Sequence, residues 1–436
     1  MVVQPEHANH EGLMIRQQDA LYRAICAEPD EDTPRLVYAD LIEEDGDPMR
    51  AAFIRAQVAL ANATEYDPVS VSSRQLDPDA FHGWSMAHTL RDLKLPGEFG
   101  WHKFEFRRGF PWKVAVQSLA AFVGDDSKLF EVAPIQALDV NTHDRPNLSV
   151  LARWQHLSRI RRLEFSHGWF GAHAVTQLGD SPNATGVVEL AFEHESITAE
   201  GLEALAISDV FPKLESLELR ANAVTPALIV DALAAARKPG TLGRLSLANN
   251  ALAEADADHL FALPIMHGLQ SLDLSDNKRL RVEGAQSLAA SGALRGLRVL
   301  RLNNTLPGVP GVRALTEAGG FSGVRFLDLS ENDLGPVAVK TIAESGAARG
   351  LRVLNLANNH VGDAGASAIA NSRVFSGLLE LNLADAELSD AGAMALAESP
   401  YLGNLLRLNL VTQTNRPLGK SAREALTERF GKRVTT

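Results

Sequence analysis

From Leu214 onward the chain repeats one order of apolar and polar positions. An apolar residue is followed by another three later, a third two after that, and Asn three further on. The pattern reads LESLELRAN from Leu214 and LGRLSLANN from Leu242. It returns as LQSLDLSDN from Leu269, LRVLRLNNT from Leu297, VRFLDLSEN from Val324 and LRVLNLANN from Leu351. Weaker copies begin at Leu378 and Leu405, so the starts keep a nearly constant period from Leu214 to the last copy. The same period, followed backwards, finds VVELAFEHE at Val187, IRRLEFSHG at Ile160 and a more degraded IQALDVNTH at Ile135, which predicts eleven strands. Within each copy apolar and polar residues alternate, so pairs such as Leu354 and Leu356 point to one side of a strand.

Each strand is followed by a segment with helical spacing. Examples are the Asp-Ala-Gly-Ala runs from Asp363 and Asp390, where Asp is positioned to cap a first turn. Strand, turn, helix and return within so short a period require parallel strands with the helices outside them. No unit buries its leucines alone, so stability comes from contact with neighbours, at roughly 1.5 to 3 kcal/mol for each buried Leu. The expected fold is an α/β solenoid, a horseshoe with a concave parallel sheet and convex helices, preceded by a small all-α domain. Asn222, Asn250, Asn277, Asn332 and Asn359 form a column where each strand turns away. Inward amides there are expected to satisfy buried backbone groups.

These repeats resemble the long leucine-rich repeats of the ribonuclease-inhibitor-like subclass, from Ile135 to about Gln413. Members of that subclass are horseshoes that bind proteins. The copies depart from the pattern at Thr305, Ala386 and Gln413, and at His143, Gly168 and Glu195.

Ahead of the repeats the grammar changes. Residues from Gln17 form a short helix with Leu21 and Ile25 on one face, ended by Pro29 and the acids that follow. Thr33 is placed as an N-cap before Pro34, Gly46 as a C-cap, and Asp47-Pro48 starts a third helix carrying Phe53, Ile54 and Val58. The run from Asp30 to Gln57 resembles the repeat-companion domain that precedes repeats in bacteria with large genomes, with Leu41 where an aromatic is common. Phe104 to Val116, with its FRRGF motif at Phe106 to Phe110, resembles the bridge before such arrays. The expected organisation is a helical domain at 1–60, a linker with a helical segment at 61–100 and a solenoid cap at 101–134. Repeats then occupy 135–416, with a capping helix at 417–436.

Composition narrows the function. A net charge of -12 gives a polyanion such as DNA or RNA a repulsive average field, and no long Lys/Arg run offsets it. Residues 1–60 carry 12 acids against 5 Lys/Arg, about -7 of that total. The acids cluster at helix ends and their spacing matches no calcium loop. No apolar stretch of membrane-spanning length or signal-peptide character occurs, and a single cysteine, Cys26, forms no internal disulfide. A cytoplasmic monomer is the expectation, without cofactor or bound metal.

The outward strand positions are the expected contact surface. Unusual residues concentrate early: Arg162, Glu164, His167 and Trp169 in one copy, Glu193 and His194 in the next, Glu218 and Arg220 in the third, with Arg301 further along. Aromatic residues and Arg dominate interface energetics. The more regular late repeats read as scaffold. His167, His194 and Glu193 could in principle hold zinc for a metal-dependent hydrolase, but two histidines and an acid are a weak constellation, and no G-x-S-x-G, H-E-x-x-H, phosphate-loop or dinucleotide motif is present. Eleven strands with three outward residues each offer on the order of 500 Å², below the roughly 800 Å² per side of a standard interface. A stable partner would therefore also touch the rim loops. The sequence points to a non-catalytic protein-binding scaffold, or to an inhibitor or adaptor controlling a partner enzyme.

Overall fold

A computed structural model describes residues 17–62, 104–124, 129–141, 148–166, 171–194, 197–208, 213–222, 225–236, 242–412 and 417–436. The expected linker therefore lies almost wholly outside the described residues. The chain divides into two compact units, Met1–Gly168 with Asp180–Val187, and Trp169–Gly179 with Val188–Thr436.

The first unit opens with three helices: α1 (17–27), α2 (Thr33–Glu44) and α3 (Pro48–Asn62). Thr33 belongs to α2 itself; the preceding Asp32 stands at the N-cap position, but no side chain there bonds the helix end. Pro fixes the first turn instead, its φ already suited to a helix. A hairpin follows, β1 (Phe104–Arg107) antiparallel to β2 (Phe110–Val116). β3 (Ala137–Asn141) runs parallel to β2, and β4 (Arg162–Ser166) parallel to β3. The helices share one core with the hairpin: Ile25, Tyr38, Ala39, Ile42, Ala51, Ile54 and Val58 enclose Phe110. The rings of Tyr22, Tyr38 and Phe110 meet at 5.5 to 5.7 Å.

In the second unit β5 (Glu189–Glu193), β6 (Ser216–Arg220), β7 (Arg244–Ser246), β8 (Ser271–Asp273) and β9 (Val299–Arg301) come first. β10 (Phe326–Asp328), β11 (Val353–Asn355), β12 (Glu380–Asn382), β13 (Arg407–Asn409) and β14 (Val434–Thr435) complete it. Each pairs in parallel with the next. Strands thus stand at every one of the eleven sequence copies, and a helix follows each one within its period. The chain is an α/β leucine-rich-repeat solenoid preceded by a helical region.

Register explains the leucine pattern. Leu190, Leu217, Leu245, Leu272, Leu300, Leu327, Leu354, Leu381 and Leu408 are aligned partners on successive strands and all are buried. The Asn column works by bridging repeats. Asn277 donates to Leu247 O at 2.9 Å and Leu274 O at 2.8 Å, and its Oδ1 accepts from the N–H groups of Asn250 and Leu252. Asn332 and Asn359 reach back to Leu302 O and Leu329 O in the same way. Thr305, which replaces Asn, has too short a side chain for that reach and bonds Leu302 O of its own copy at 2.7 Å.

The aspartates in the first turns of two late helices, Asp363 and Asp390, do something their positions in the sequence do not suggest. Asp363 Oδ1 accepts from the N–H groups of Ser389 and Gly392, both at 2.9 Å, at the start of the next repeat's helix, Asp390–Ala397. Asp390 likewise accepts from Gly419 at 2.7 Å. A carboxylate on one repeat therefore caps the next, where the exposed N–H groups and helix dipole favour negative charge. At the C-terminal end the helix Lys420–Phe430 packs on Asp390–Ala397, and the short β14 adds a last pairing to β13.

Candidate functional site

Three residues per strand face away from the helices: the two that flank the central leucine, and one two places further on. In the first unit this face is internally paired. Lys113 lies 2.6 Å from Glu105 and 3.2 Å from Glu164, and Arg162 Nε lies 3.4 Å from the same Glu164 oxygen. Burial works against the Lys113 ammonium, but the two glutamates outweigh it and hold its pKa above the ordinary value. Burial and the nearby Glu164 push the Asp139 carboxyl upward, although Ser166 Oγ donates to it at 3.2 Å. Arg162 and Glu164 are thus engaged with each other and with Lys113. His167 and Trp169, and with them Gly168, lie outside the described residues, as does Glu195 in the following copy.

In the second unit Glu193 ends β5 and His194 follows it, with Glu193 Oε2 and His194 Nε2 3.8 Å apart. His194 has φ +54, in the left-handed region, and shares that conformation with Ala221, Asn249, Asp276, Asn304, Glu331, Asn358 and Asp385 at the same place in later copies. The turn repeats, and His is among the few side chains that tolerate it. Its N–H donates to Arg220 O at 3.2 Å, as the Ala221 N–H does to Ala248 O at 3.1 Å. The placement of His194 therefore follows from repeat geometry. Among the described residues no group of three or more His, Cys, Asp or Glu could hold a metal ion. Glu218 is half-buried on β6 and Arg220 is exposed. Glu189 and Arg244 reach across β6 to pair at 2.8 Å. Arg301 stands three strands beyond β6, its guanidinium 4.7 Å from the ring centroid of Phe326.

Phe326 leads to a feature that sequence reasoning missed. An open depression lies on the outward face of β10 to β13, with Phe326, Val353 and Asn355 on one side and Glu380, Asn382, Arg407 and Asn409 on the other. Glu380 and Arg407 are aligned partners on β12 and β13, yet no ion pair joins them among the described residues. Glu380 Oε1 is buried there without a hydrogen-bond partner. Asn382 and Asn409 use their Oδ1 atoms to accept from Ala384 and Val411, at 3.1 and 3.2 Å, which leaves their NH2 groups as donors toward the depression. An apolar wall with a few convergent polar groups is the usual chemistry of a recognition pocket. The available signal was Phe326, a large aromatic at an outward position that most copies fill with a smaller or charged side chain.

Three stretches of the chain, residues 267–289, 349–370 and 378–397, match the family model described as Leucine Rich repeat. Among curated proteins, none matches the chain significantly. Among the solved structures that match are the following two. One is a chain of the yeast Rad7 and Elc1 complex, at 15% identity and TM-score 0.51, covering 88% of this chain and 95% of that one. The other is an internalin from Listeria monocytogenes, at 14% identity and TM-score 0.39, covering 79% of this chain and 93% of that one. No helix among the described residues is long and apolar enough to cross a membrane. With its aligned leucines, bridging asparagines and three matched stretches, this chain has the fold of a leucine-rich-repeat solenoid and resembles leucine-rich-repeat proteins.

Proposed function

We propose that the chain is a non-catalytic scaffold that binds another protein on the outward strand face and the rim loops of its repeats. Leucine-rich repeats generally serve as protein-interaction scaffolds. The observation that carries the reading is the β10–β13 depression. Its aromatic wall, unpartnered Glu380 oxygen and free amide donors suit a protein side chain entering from outside, and a buried acceptor without a donor is costly until one arrives. The early residues Glu193, His194, Glu218 and Arg220 are secondary candidates on the same type of face, and Arg162, Glu164, His167 and Trp169 complete that set. Arg301 contributes by holding the Phe326 ring.

The chain works, in this reading, as a cytoplasmic monomer with no nucleic-acid partner; its net charge of -12 supports the last point. The resemblance of the run at 30–57 supports the bacterial repeat-companion lineage for its first helices, and the repeat length favours the ribonuclease-inhibitor-like subclass. The test is quantitative affinity capture with the full chain, comparing wild type with a Phe326→Ala/Glu380→Gln double variant and a Glu218→Ala/Arg220→Ala double variant. A partner lost by about tenfold or more with the first pair supports the late-repeat site, since two buried contacts account for at least that factor. Loss only with the second pair moves the site to the early strands. Recovery unchanged in both removes the strand face as the binding surface.

A further inference from the structure

The FRRGF motif and the buried arginine of α2 remain outside the scaffold reading, and the structure brings them together. Arg35 is 1% exposed. Its Nη1 and Nη2 donate to Glu31 O and Pro29 O, the latter at 2.8 Å, but its Nε has no partner, and no carboxylate lies within ion-pair distance of it among the described residues. Burial, and after it the neighbouring Arg108, pulls its pKa down to about 10. Such a guanidinium lacks the compensating negative charge in direct contact that buried charges ordinarily have.

The hairpin supplies the other groups. Arg108 (φ +54) and Gly109 (φ +82) form its two-residue turn, with both φ values positive as in a type I′ turn. Arg108 Nη1 donates to Asp30 O, and Nη1 also lies 3.5 Å from Asp32; its Nε is buried without a partner. Trp112 Nε1 is buried without a partner as well, while the guanidinium of Arg107 lies 5.4 Å from the Trp112 ring centroid. Arg35, Arg107, Arg108 and Trp112 line one small cleft, together with Asp30 and Gln136.

We propose that this cleft binds one small anion, of halide or simple oxyanion size, through the Nε–H groups of Arg35 and Arg108 and the indole N–H of Trp112. Three residues lining it carry buried N–H donors without acceptors, and a water molecule has only two lone pairs to offer them. The Arg35 guanidinium brings a positive charge that no carboxylate in contact answers. Asp30 accepts from Gln136 at 3.4 Å and Asp32 Oδ2 from Asn62 at 2.6 Å; the remaining Asp32 oxygen, 3.5 Å from Arg108 Nη1, accepts no hydrogen bond, but Asp32 does not line the cleft. The enclosed space is far smaller than the roughly 300 Å³ at which pockets for organic ligands begin, which excludes a nucleotide or coenzyme. The bound anion ties the N-terminal helices to the hairpin through α2, β2 and the turn at once.

Chloride-35 line broadening of the full-length protein tests this, with acetate and phosphate as competitors and gluconate, too large for the cleft, as the ionic-strength reference. Wild type should show saturable excess broadening, relieved by whichever competitor fits. Trp112→Phe keeps the ring but removes its donor, and should weaken chloride by about tenfold, as should Arg108→Gln. Equal broadening in wild type and both variants, or a broadening that gluconate relieves as well as acetate, overturns the proposal. Should both variants fail to fold, wild-type crystals soaked in bromide decide. An anomalous peak beside Trp112 Nε1 upholds the site, and a water there, or nothing, rejects it.

Discussion

Asn277 shows how much one side chain carries when its polar atoms all face the interior. It is wholly buried, donates to main-chain carbonyls of its own and the preceding repeat, and accepts from two N–H groups of that preceding repeat. Asn277→Ala strands these groups without water, so it should destabilise the protein by about 2–3 kcal/mol, read from a chemical-denaturation midpoint. A loss near that of an exposed substitution would mean the ladder is not holding the repeats together. His360 carries the opposite lesson. Its ring bonds Asp333 at 2.8 Å and Glu387 at 2.6 Å on the surface, and Glu387, then Asp333, raise its pKa. A folded-state pKa above the unfolded one makes the stabilisation complete below the unfolded value. It is lost as pH rises through the folded value. Nearly full exposure keeps the effect small and salt-sensitive. Proton NMR of the imidazole should show a pKa above that of a free histidine, falling in Glu387→Gln; an unshifted titration would remove the pairing.

Strands and helices of the repeats are positioned by contacts that recur from one repeat to the next, whereas the junction of helices and hairpin includes one close approach that occurs once. Gly109 occupies a left-handed turn position, and a Cβ added there would stand 2.5 Å from Ile54 Cγ1 and 2.7 Å from Ile54 Cα on α3. Gly109→Ala meets both an unfavourable φ and backbone that cannot yield, so a cost of at least about 2 kcal/mol is expected. Thermal melting followed in parallel with Gly46→Ala, whose φ is also positive but which meets nothing within 4 Å, separates the clash from the backbone strain. Equal losses in the two would show that helix α3 does not press on the turn. The repeat helices followed from the period of the pattern, but the direction of their caps did not. Asp363 serves the next repeat because parallel stacking brings that helix start within reach, and spacing along the chain does not encode which neighbour is nearer.

For the whole molecule, the period alone determined the architecture. A short unit that buries its leucines only against neighbours has one consistent arrangement, so the column from Leu190 to Leu408 was legible before any coordinates. The same regularity hid the candidate site. Outward positions are free of packing constraints, so the sequence ranked them by how unusual they look, which drew attention to Arg162, Glu164, His194 and Arg220. Some of these have a place in the repeat framework as well: Arg162 and Glu164 answer each other's charge, and the His194 backbone repeats a turn found in seven later copies. Glu380 and Arg407, adjacent in register but unpaired, lie a whole repeat apart in the chain, and their mismatch exists only once strands align. Arg35 and Trp112 are further apart still, and each reads alone as an ordinary core or strand residue. What the sequence determined is what repeats, because stacking forces every copy to solve the same burial problem. Which polar atoms are left without partners was decided by tertiary structure, because hydrogen bonds across strands and between helices and hairpin depend on distances that no local pattern records.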